Sequence, residues 1–120
     1  MATVLVIEDN PQSLKLAQLV LHKAGHAVLS ADNGEAGFDL AGERQPDLIL
    51  MDVQMPGLDG LAVTRLLKNS PRTSHIKVVA LTALAMKGDA ERILAAGCDG
   101  YLTKPYHYND LVAVVQSALA

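Results

Sequence analysis

Two patterns of hydrophobic positions alternate along this chain. Short, continuous apolar runs rich in branched side chains are separated by longer segments whose apolar residues recur at helical spacing. The first pattern is typical of strands covered on both faces, and the second of helices that bury one face. The apolar runs predict five strands, at residues 4–7, 27–31, 48–51, 76–81 and 101–103.

Residues suited to helix ends flank the amphipathic segments. Asn10 and Pro11 favour the start of a first helix, and Gly25 its end, because glycine accepts the left-handed conformation that often closes a helix. Asn33 lies in a turn and cap ahead of a second helix, which closes before Pro46. Three further helices are predicted: from Asp59 with Leu61, Val63, Leu66 and Leu67; from about Asp89 to Gly97 with Ile93 and Leu94 inward; and from His107 or Tyr108 with Leu111, Val114, Val115 and Ala118.

The regular alternation of strand and helix predicts an α/β fold, a parallel sheet with helices on both faces. In such sheets the connections are right-handed, and ligands bind beyond the carboxyl ends of the strands, where the strand order reverses. The 120 residues match the size of one domain, and we expect residues 1–120 to form it.

Composition narrows the functional class. The net charge of −3 offers no basic surface for nucleic acid, and no apolar stretch is long enough to span a membrane. The N-terminus lacks the features of a secretory signal. The single cysteine, Cys98, cannot form an internal disulfide, so we interpret it as a small structural thiol and expect a cytoplasmic protein.

Polar side chains follow four of the five predicted strands. Glu8 and Asp9 come after the first strand, Asp52 after the third, Thr82 after the fourth and Lys104 after the fifth. These side chains should meet, because the carboxyl ends of parallel strands share one edge of the sheet. Three crowded carboxylates repel one another unless a cation neutralises them, and oxygen ligands without His or Cys favour Mg²⁺.

An open magnesium site of carboxylates suits phosphoryl transfer. An aspartate can itself be the nucleophile and form an aspartyl phosphate, and Asp52 is the candidate for that role. In such a reaction catalysis is mostly positioning and charge neutralisation. Lys104 would supply positive charge besides the metal, and Thr82 would donate a hydrogen bond to a phosphoryl oxygen.

In their order and spacing, these residues resemble the receiver domain of two-component response regulators. The resemblance covers essentially the whole chain and implies a flavodoxin-like fold with strand order 2-1-3-4-5. Residues 83–92 are similar to single-domain regulators of the DivK type and also to receivers of hybrid histidine kinases, which leaves the parent context open. The motifs that carry the resemblance to receiver domains are Glu8-Asp9, Met51-Asp52 with Met55-Pro56-Gly57 and Gly60, Leu81-Thr82-Ala83, and Thr103-Lys104-Pro105.

The resemblance also implies a partner and a reaction. A sensor histidine kinase or a histidine phosphotransfer protein would pass a phosphoryl group to Asp52. Glu8 and Asp9, with Asp52, would hold Mg²⁺, and the backbone carbonyl of Gln54 would be a further ligand. Lys104 would bind the acidic site and the phosphoryl group. The peptide bond between Lys104 and Pro105 would be cis. The chain would phosphorylate and dephosphorylate itself without acting as a turnover enzyme.

The same resemblance implies a conformational switch. Thr82 matches the hydroxyl that moves toward the phosphate, and Tyr101 the aromatic residue that then turns inward. Phosphorylation would reshape the face made by the fourth helix, the fifth strand and the fifth helix, where a downstream protein would bind.

Two other interpretations remain at this point. A degenerate receiver would bind a partner without being phosphorylated, and the intact set of acids, hydroxyl and lysine counts against it. A small phosphatase with an aspartate nucleophile would need a second acid two residues after Asp52, and that position holds Gln54. The sequence leaves open whether the chain forms a homodimer.

Overall fold

The computed structural model describes residues 2–55, 57, 59–83 and 88–120. Five strands and five helices alternate within them. The strands are β1 (Thr3–Ile7), β2 (Ala27–Ala31), β3 (Leu48–Asp52), β4 (Lys77–Thr82) and β5 (Gly100–Thr103). The helices are α1 (Pro11–Lys23), α2 (Gly34–Arg44), α3 (Gly60–Asn69), α4 (Asp89–Ala95) and α5 (Tyr108–Leu119).

The strands form one parallel sheet in the order β2-β1-β3-β4-β5, which confirms the predicted topology. Alternate strand residues pack into two layers of core. One layer lies beneath α2, α3 and α4, and the other beneath α1 and α5. Every residue of the central strand β3 is buried. The sheet order reverses between β1 and β3, so the carboxyl ends of these two strands border the expected ligand site.

The predicted caps form where expected. The side chain of Asn10 accepts hydrogen bonds from the N–H groups of Gln12 and Ser13 at the start of α1. Asn33 and Asp59 cap α2 and α3 in the same way. Each cap satisfies N–H groups that have no partner within the helix, which fixes where the helix begins.

One inward assignment is wrong. Ile93 of α4 is buried, but Leu94 is 52% exposed. Neighbouring positions of a helix face different directions, so burial of Ile93 in the seven-residue α4 leaves Leu94 on another side. The predicted onset of α4 near Asp89 is confirmed.

Pro56 and the predicted helical pattern over residues 84–87 lie outside the described residues. Within the described part of the chain, no helix is long and apolar enough to cross a membrane.

Candidate functional site

The carboxyl edge of the sheet collects three acidic side chains. Carboxylate oxygens of Glu8, Asp9 and Asp52 all lie within 4.8 Å of one another. Glu8 directly follows β1, where its N–H donates to the carbonyl of Ala31, and Asp52 is the last residue of β3. Glu8 and Asp52 are buried, whereas Asp9 is exposed. The predicted cluster therefore forms, with two acids at its base and one at its rim.

Lys104 reaches this cluster from the end of β5. Its Nζ lies 2.6 Å from Oε1 of Glu8 and 3.7 Å from Oδ1 of Asp52. The backbone N–H of Lys104 donates to the carbonyl of Thr82, and the peptide bond to Pro105 is cis, as the resemblance implied. The lysine is thus the cation of the site, and its shorter contact is to Glu8.

The close contact between Glu8 and Asp52 perturbs both groups. Burial raises the pKa of Asp52, and hydrogen bonding and repulsion from Glu8 add to it, bringing the pKa to about 7. Burial by itself would raise the pKa of Glu8 as well. Its hydrogen bonds to Asp52 and Lys104 and the charge of Lys104 outweigh burial, so the pKa of Glu8 is lowered overall. Two carboxyl groups can share a hydrogen bond only when one carries a proton, and the raised pKa of Asp52 makes it the acid that takes up that proton more readily.

The backbone after β3 also shapes the site. The N–H of Gln54 donates to Oδ1 of Asp52 at 3.1 Å, while the Gln54 side chain points outward into solvent. Gly60 begins α3 against this segment, and its N–H donates to the carbonyl of Val53. A Cβ on Gly60 would overlap the carbonyl oxygen of Asp52 and lie 2.9 Å from the Cα of Val53. Only glycine permits this approach.

Thr82 and Tyr101 lie on neighbouring strands. Thr82 is buried at the end of β4, and Tyr101 is 42% exposed on β5. Tyr101 pairs with Ala80, two residues before Thr82 on the same strand. Side chains two residues apart share a face, so Thr82 and Tyr101 project from the face of the sheet that carries α4.

Sequence reasoning missed Tyr106. This half-buried residue follows the Lys104-Pro105 bond, and its phenol senses the charges of Lys104, Glu8 and Asp52. Burial raises the pKa of Tyr106, so the group remains a hydrogen-bond donor. The sequence signal that could have identified Tyr106 was its position just after the lysine that follows the last strand.

A cleft of about 320 Å³ beside the site is lined by Ser13, Leu16, Ala83, Lys104, Pro105 and Tyr106.

One buried atom at the site suits a cation. Among the described residues, Oε2 of Glu8 is the buried side-chain oxygen or nitrogen without a hydrogen-bond partner. An unpaired carboxylate oxygen inside a protein is costly unless a cation or a proton satisfies it. The Glu8 carboxylate belongs to an all-oxygen donor set with Asp9 and Asp52, which is the chemistry that Mg²⁺ prefers. The residues present therefore fit the metal.

Comparison with known proteins decides the family. The sequence pattern of the response regulator receiver domain matches residues 4–116. The chain belongs to this receiver domain family. The polar-differentiation response regulator DivK of Brucella anthropi is 42% identical to this receiver over 117 residues, which is 98% of this chain and 95% of that protein.

Solved structures agree with the assignment. The receiver domain of a sensor histidine kinase from Pseudomonas aeruginosa PAO1, determined with a magnesium ion coordinated in its active-site cleft, is 32% identical. It superposes with a TM-score of 0.91 over 98% of this chain and 97% of that one. A chemotaxis protein of Vibrio cholerae is 25% identical, with a TM-score of 0.93 over 99% of both chains.

Membership defines the class of function. This receiver is a phosphoacceptor switch of two-component signalling. Receivers interact with histidine kinases or phosphotransfer proteins and with downstream partners, bind Mg²⁺ in the active site, and are signalling switches rather than turnover enzymes as a rule. The degenerate, phosphorylation-independent receiver is not favoured.

Proposed function

We propose that residues 1–120 act as one receiver domain that accepts a phosphoryl group on Asp52. The single observation that carries this proposal is the convergence of Glu8, Asp9, Asp52 and Lys104 at the carboxyl edge of the sheet. Asp52 is the central acid of this set, because it contacts Glu8 on one side and receives the N–H of Gln54 on the other.

Transfer would begin from phosphohistidine on a sensor kinase or phosphotransfer protein. A carboxylate oxygen of Asp52 forms a bond to phosphorus while the phosphorus–nitrogen bond of the donor breaks. The electron pair of that bond stays on the imidazole, which takes up a proton. Because the attacking group must be ionised, a pKa of about 7 means that part of Asp52 is protonated and unreactive at neutral pH in the metal-free site.

Three acids and one carbonyl would hold the metal: Glu8, Asp9, Asp52 and the backbone of Gln54. Bound Mg²⁺ supplies positive charge that neutralises both the acids and the incoming phosphoryl oxygens. The protein's own contribution is to bury Glu8 and Asp52 and to leave Asp9 at the open rim.

Lys104 and Thr82 would bind the phosphoryl group once it is on Asp52. The Lys104 ammonium already lies 3.7 Å from Oδ1 of Asp52, within reach of an attached phosphoryl oxygen. The Thr82 hydroxyl stands at the end of the adjacent strand and would donate a hydrogen bond. The product would be lost when water attacks phosphorus and releases inorganic phosphate, which returns Asp52 to its carboxylate.

The output would be a change in the face made by α4, β5 and α5. Three of the large exposed hydrophobic side chains in the described residues lie on these elements: Leu94, Tyr101 and Tyr108. Tyr101 shares a face of the sheet with Thr82, so movement of Thr82 toward a phosphate would open space for the tyrosine ring. A downstream protein or a second copy of the chain would bind there, in the cytoplasm.

Acetyl phosphate provides the direct test. With MgCl₂, intact mass should show one added phosphoryl group, and peptide mapping after borohydride reduction should locate it at Asp52. Asp52→Asn should gain nothing, whereas Asp39→Asn, an exposed acid on α2, should behave as wild type. Unlabelled wild type, or equal labelling of Asp52→Asn, would refute the proposal.

A further inference from the structure

Thr64 is a buried polar residue within α3. It is 0% exposed, and its hydroxyl donates to the carbonyl of Gly60, one turn earlier in the helix, at 2.8 Å. The thiol of Cys98, which lies between α4 and β5, approaches the same hydroxyl at 3.8 Å. Burial raises the pKa of Cys98, so the thiol keeps its proton and its S–H donates to Thr64. The hydroxyl therefore has both an acceptor and a donor inside the core.

Helix formation does not account for this hydroxyl. A buried hydroxyl costs free energy unless it is hydrogen-bonded, and a threonine that bonds back to the preceding turn slightly destabilises a helix. A valine of similar shape would fill the same space without a polar atom. The acceptor of the hydroxyl, Gly60, shows what the hydrogen bond holds in place.

Gly60 connects Thr64 to the candidate phosphoacceptor. The N–H of Gly60 donates to the carbonyl of Val53 at 3.2 Å. That carbonyl belongs to the same planar peptide group as the N–H of Gln54, which donates to Oδ1 of Asp52 at 3.1 Å. Because the peptide group is rigid, a bond that holds its carbonyl end also directs its N–H end. Glycine has the least restricted backbone, so the orientation of Gly60 depends on the bonds that it makes.

We propose that Thr64 is a positioning residue for the phosphoacceptor: its hydroxyl fixes Gly60, and Gly60 in turn fixes the peptide group that holds the carboxylate of Asp52. The inference rests on the proposed phosphorylation of Asp52 and deepens it. Cys98 directs the hydroxyl toward Gly60, because its thiol occupies the other side of the oxygen. Thr64 and Cys98 lie in the buried core, so they act through the backbone on the orientation of the attacking carboxylate.

Removal of the hydroxyl should slow phosphorylation. With acetyl phosphate and MgCl₂, at a temperature where each variant is folded, Thr64→Val should be labelled about two- to tenfold more slowly than wild type, the range that loss of one hydrogen bond allows. Thr73→Val is the matched control. The Thr73 hydroxyl is also buried and donates to a carbonyl of α3, that of Leu67 at 2.7 Å, but near the end of the helix away from Asp52. Thr73→Val should lose comparable stability to urea and be labelled at the wild-type rate.

Serine and alanine at position 64 provide a second comparison. Thr64→Ser and Thr64→Ala both lose the methyl group and differ from each other in the hydroxyl alone. Thr64→Ser should therefore be labelled at close to the wild-type rate, and Thr64→Ala more slowly. This pair decides the matter if Thr64→Val fails to fold.

Hydrogen exchange tests the positioning without any phosphorylation. By NMR in EDTA, the amide of Gln54 should exchange faster in Thr64→Ala than in Thr64→Ser, because the peptide group is held less firmly. The amide of Val53, which donates to the carbonyl of Leu81 on β4, should exchange equally in the two variants and is the internal reference.

The outcomes separate this inference from the proposed function. Labelling of folded Thr64→Val at the wild-type rate, equal slowing of Thr73→Val, equal labelling of the serine and alanine variants, or equal exchange of their Gln54 amides would overturn the positioning role. A wild-type chain that takes up no phosphoryl group would overturn the proposed phosphorylation, while exchange of the Gln54 amide would still decide whether Thr64 holds this backbone.

Discussion

Gly60 packs directly on the carbonyl group of Asp52, so the start of α3 is fitted to the backbone of the candidate phosphoacceptor. A Cβ at this position has no room, since the overlapping atoms are backbone and cannot rotate away. The short approach holds the segment after β3 in place and, with it, the N–H of Gln54 that contacts Asp52.

Gly60→Ala should therefore lower both stability and phosphorylation. We expect a loss of about 1–3 kcal/mol in the free energy of unfolding by urea, typical of an overpacked site. Labelling by acetyl phosphate should also slow, measured at a temperature where the variant is fully folded. Gly42→Ala is the control, because a Cβ there meets no atom closer than 3.7 Å and alanine favours a helix. Wild-type labelling by folded Gly60→Ala would contradict the positioning role.

The sheet and the acidic cluster were predictable for the same reason. Continuous apolar runs determine buried parallel strands, and parallel strands deliver their last residues to one edge. Glu8, Asp9, Asp52 and Lys104 could be brought together without any knowledge of side-chain conformation. For Thr82 the sequence predicted only the position, at the end of β4, and not the direction of its hydroxyl.

Pairing within the cluster could not be predicted. That Lys104 is closer to Glu8 than to Asp52 depends on side-chain rotamers, which spacing along the chain does not determine. Leu94 was misassigned because a helix of seven residues is too short for its apolar stripe to be located from spacing alone. Tyr106 was missed because an aromatic residue after a strand is usually ordinary packing.

Asp99 should support the fold at the end of the sheet away from the site. Its Oδ2 accepts hydrogen bonds from the N–H of Val78 at 2.8 Å and from Nζ of Lys68 at 3.0 Å. Asp99→Ala leaves the N–H of Val78 without this acceptor, and we expect a loss of about 1–3 kcal/mol in urea unfolding. Lys68→Met should cost less than Asp99→Ala. Magnesium affinity measured by calorimetry should not change in either variant, and a clear change would show that this end is coupled to the acidic cluster.

The stability of the metal-free protein should depend on pH through Asp52. Its pKa rises from 3.8 to about 7 on folding, so the folded state holds a proton that the unfolded state has lost between these values. Stability from this group is therefore complete at low pH and falls as pH rises toward 7. Glu8 acts oppositely, since its lowered pKa makes its contribution disappear as pH falls below its ordinary value of 4.5.

Urea unfolding with EDTA should show this directly. Between pH 5 and pH 8 we expect wild type to lose roughly 1–3 kcal/mol, given that one pKa unit corresponds to about 1.4 kcal/mol. Asp52→Asn should lose much less, and Asp39→Asn should follow wild type. Saturating MgCl₂ should reduce the loss, because a cation that binds the folded state stabilises it. If the unfolding free energy of Asp52→Asn falls with pH as steeply as that of wild type, the pH dependence belongs to another group.

Tyr101 should report the state of Asp52. The ring is 42% exposed in this structure and lies on the face of the sheet that also carries Thr82. In the unphosphorylated protein Tyr101→Ala should therefore lower the unfolding free energy by about 1–2 kcal/mol, less than the loss of a fully buried aromatic side chain. Movement of Thr82 toward a phosphoryl group would vacate space beside the ring, which would turn inward.

Fluorine NMR on 3-fluorotyrosine protein can follow this movement. The chain has three tyrosines, so three resonances can be assigned by single Tyr→Phe variants. Addition of acetyl phosphate and MgCl₂ should shift the Tyr101 resonance by more than that of Tyr108, which is 60% exposed. Thr82→Val should still be phosphorylated on Asp52 but should lose most of the Tyr101 shift, because valine has a similar shape and lacks the hydroxyl. An equal shift in Thr82→Val would show that Tyr101 responds to the phosphate by another route.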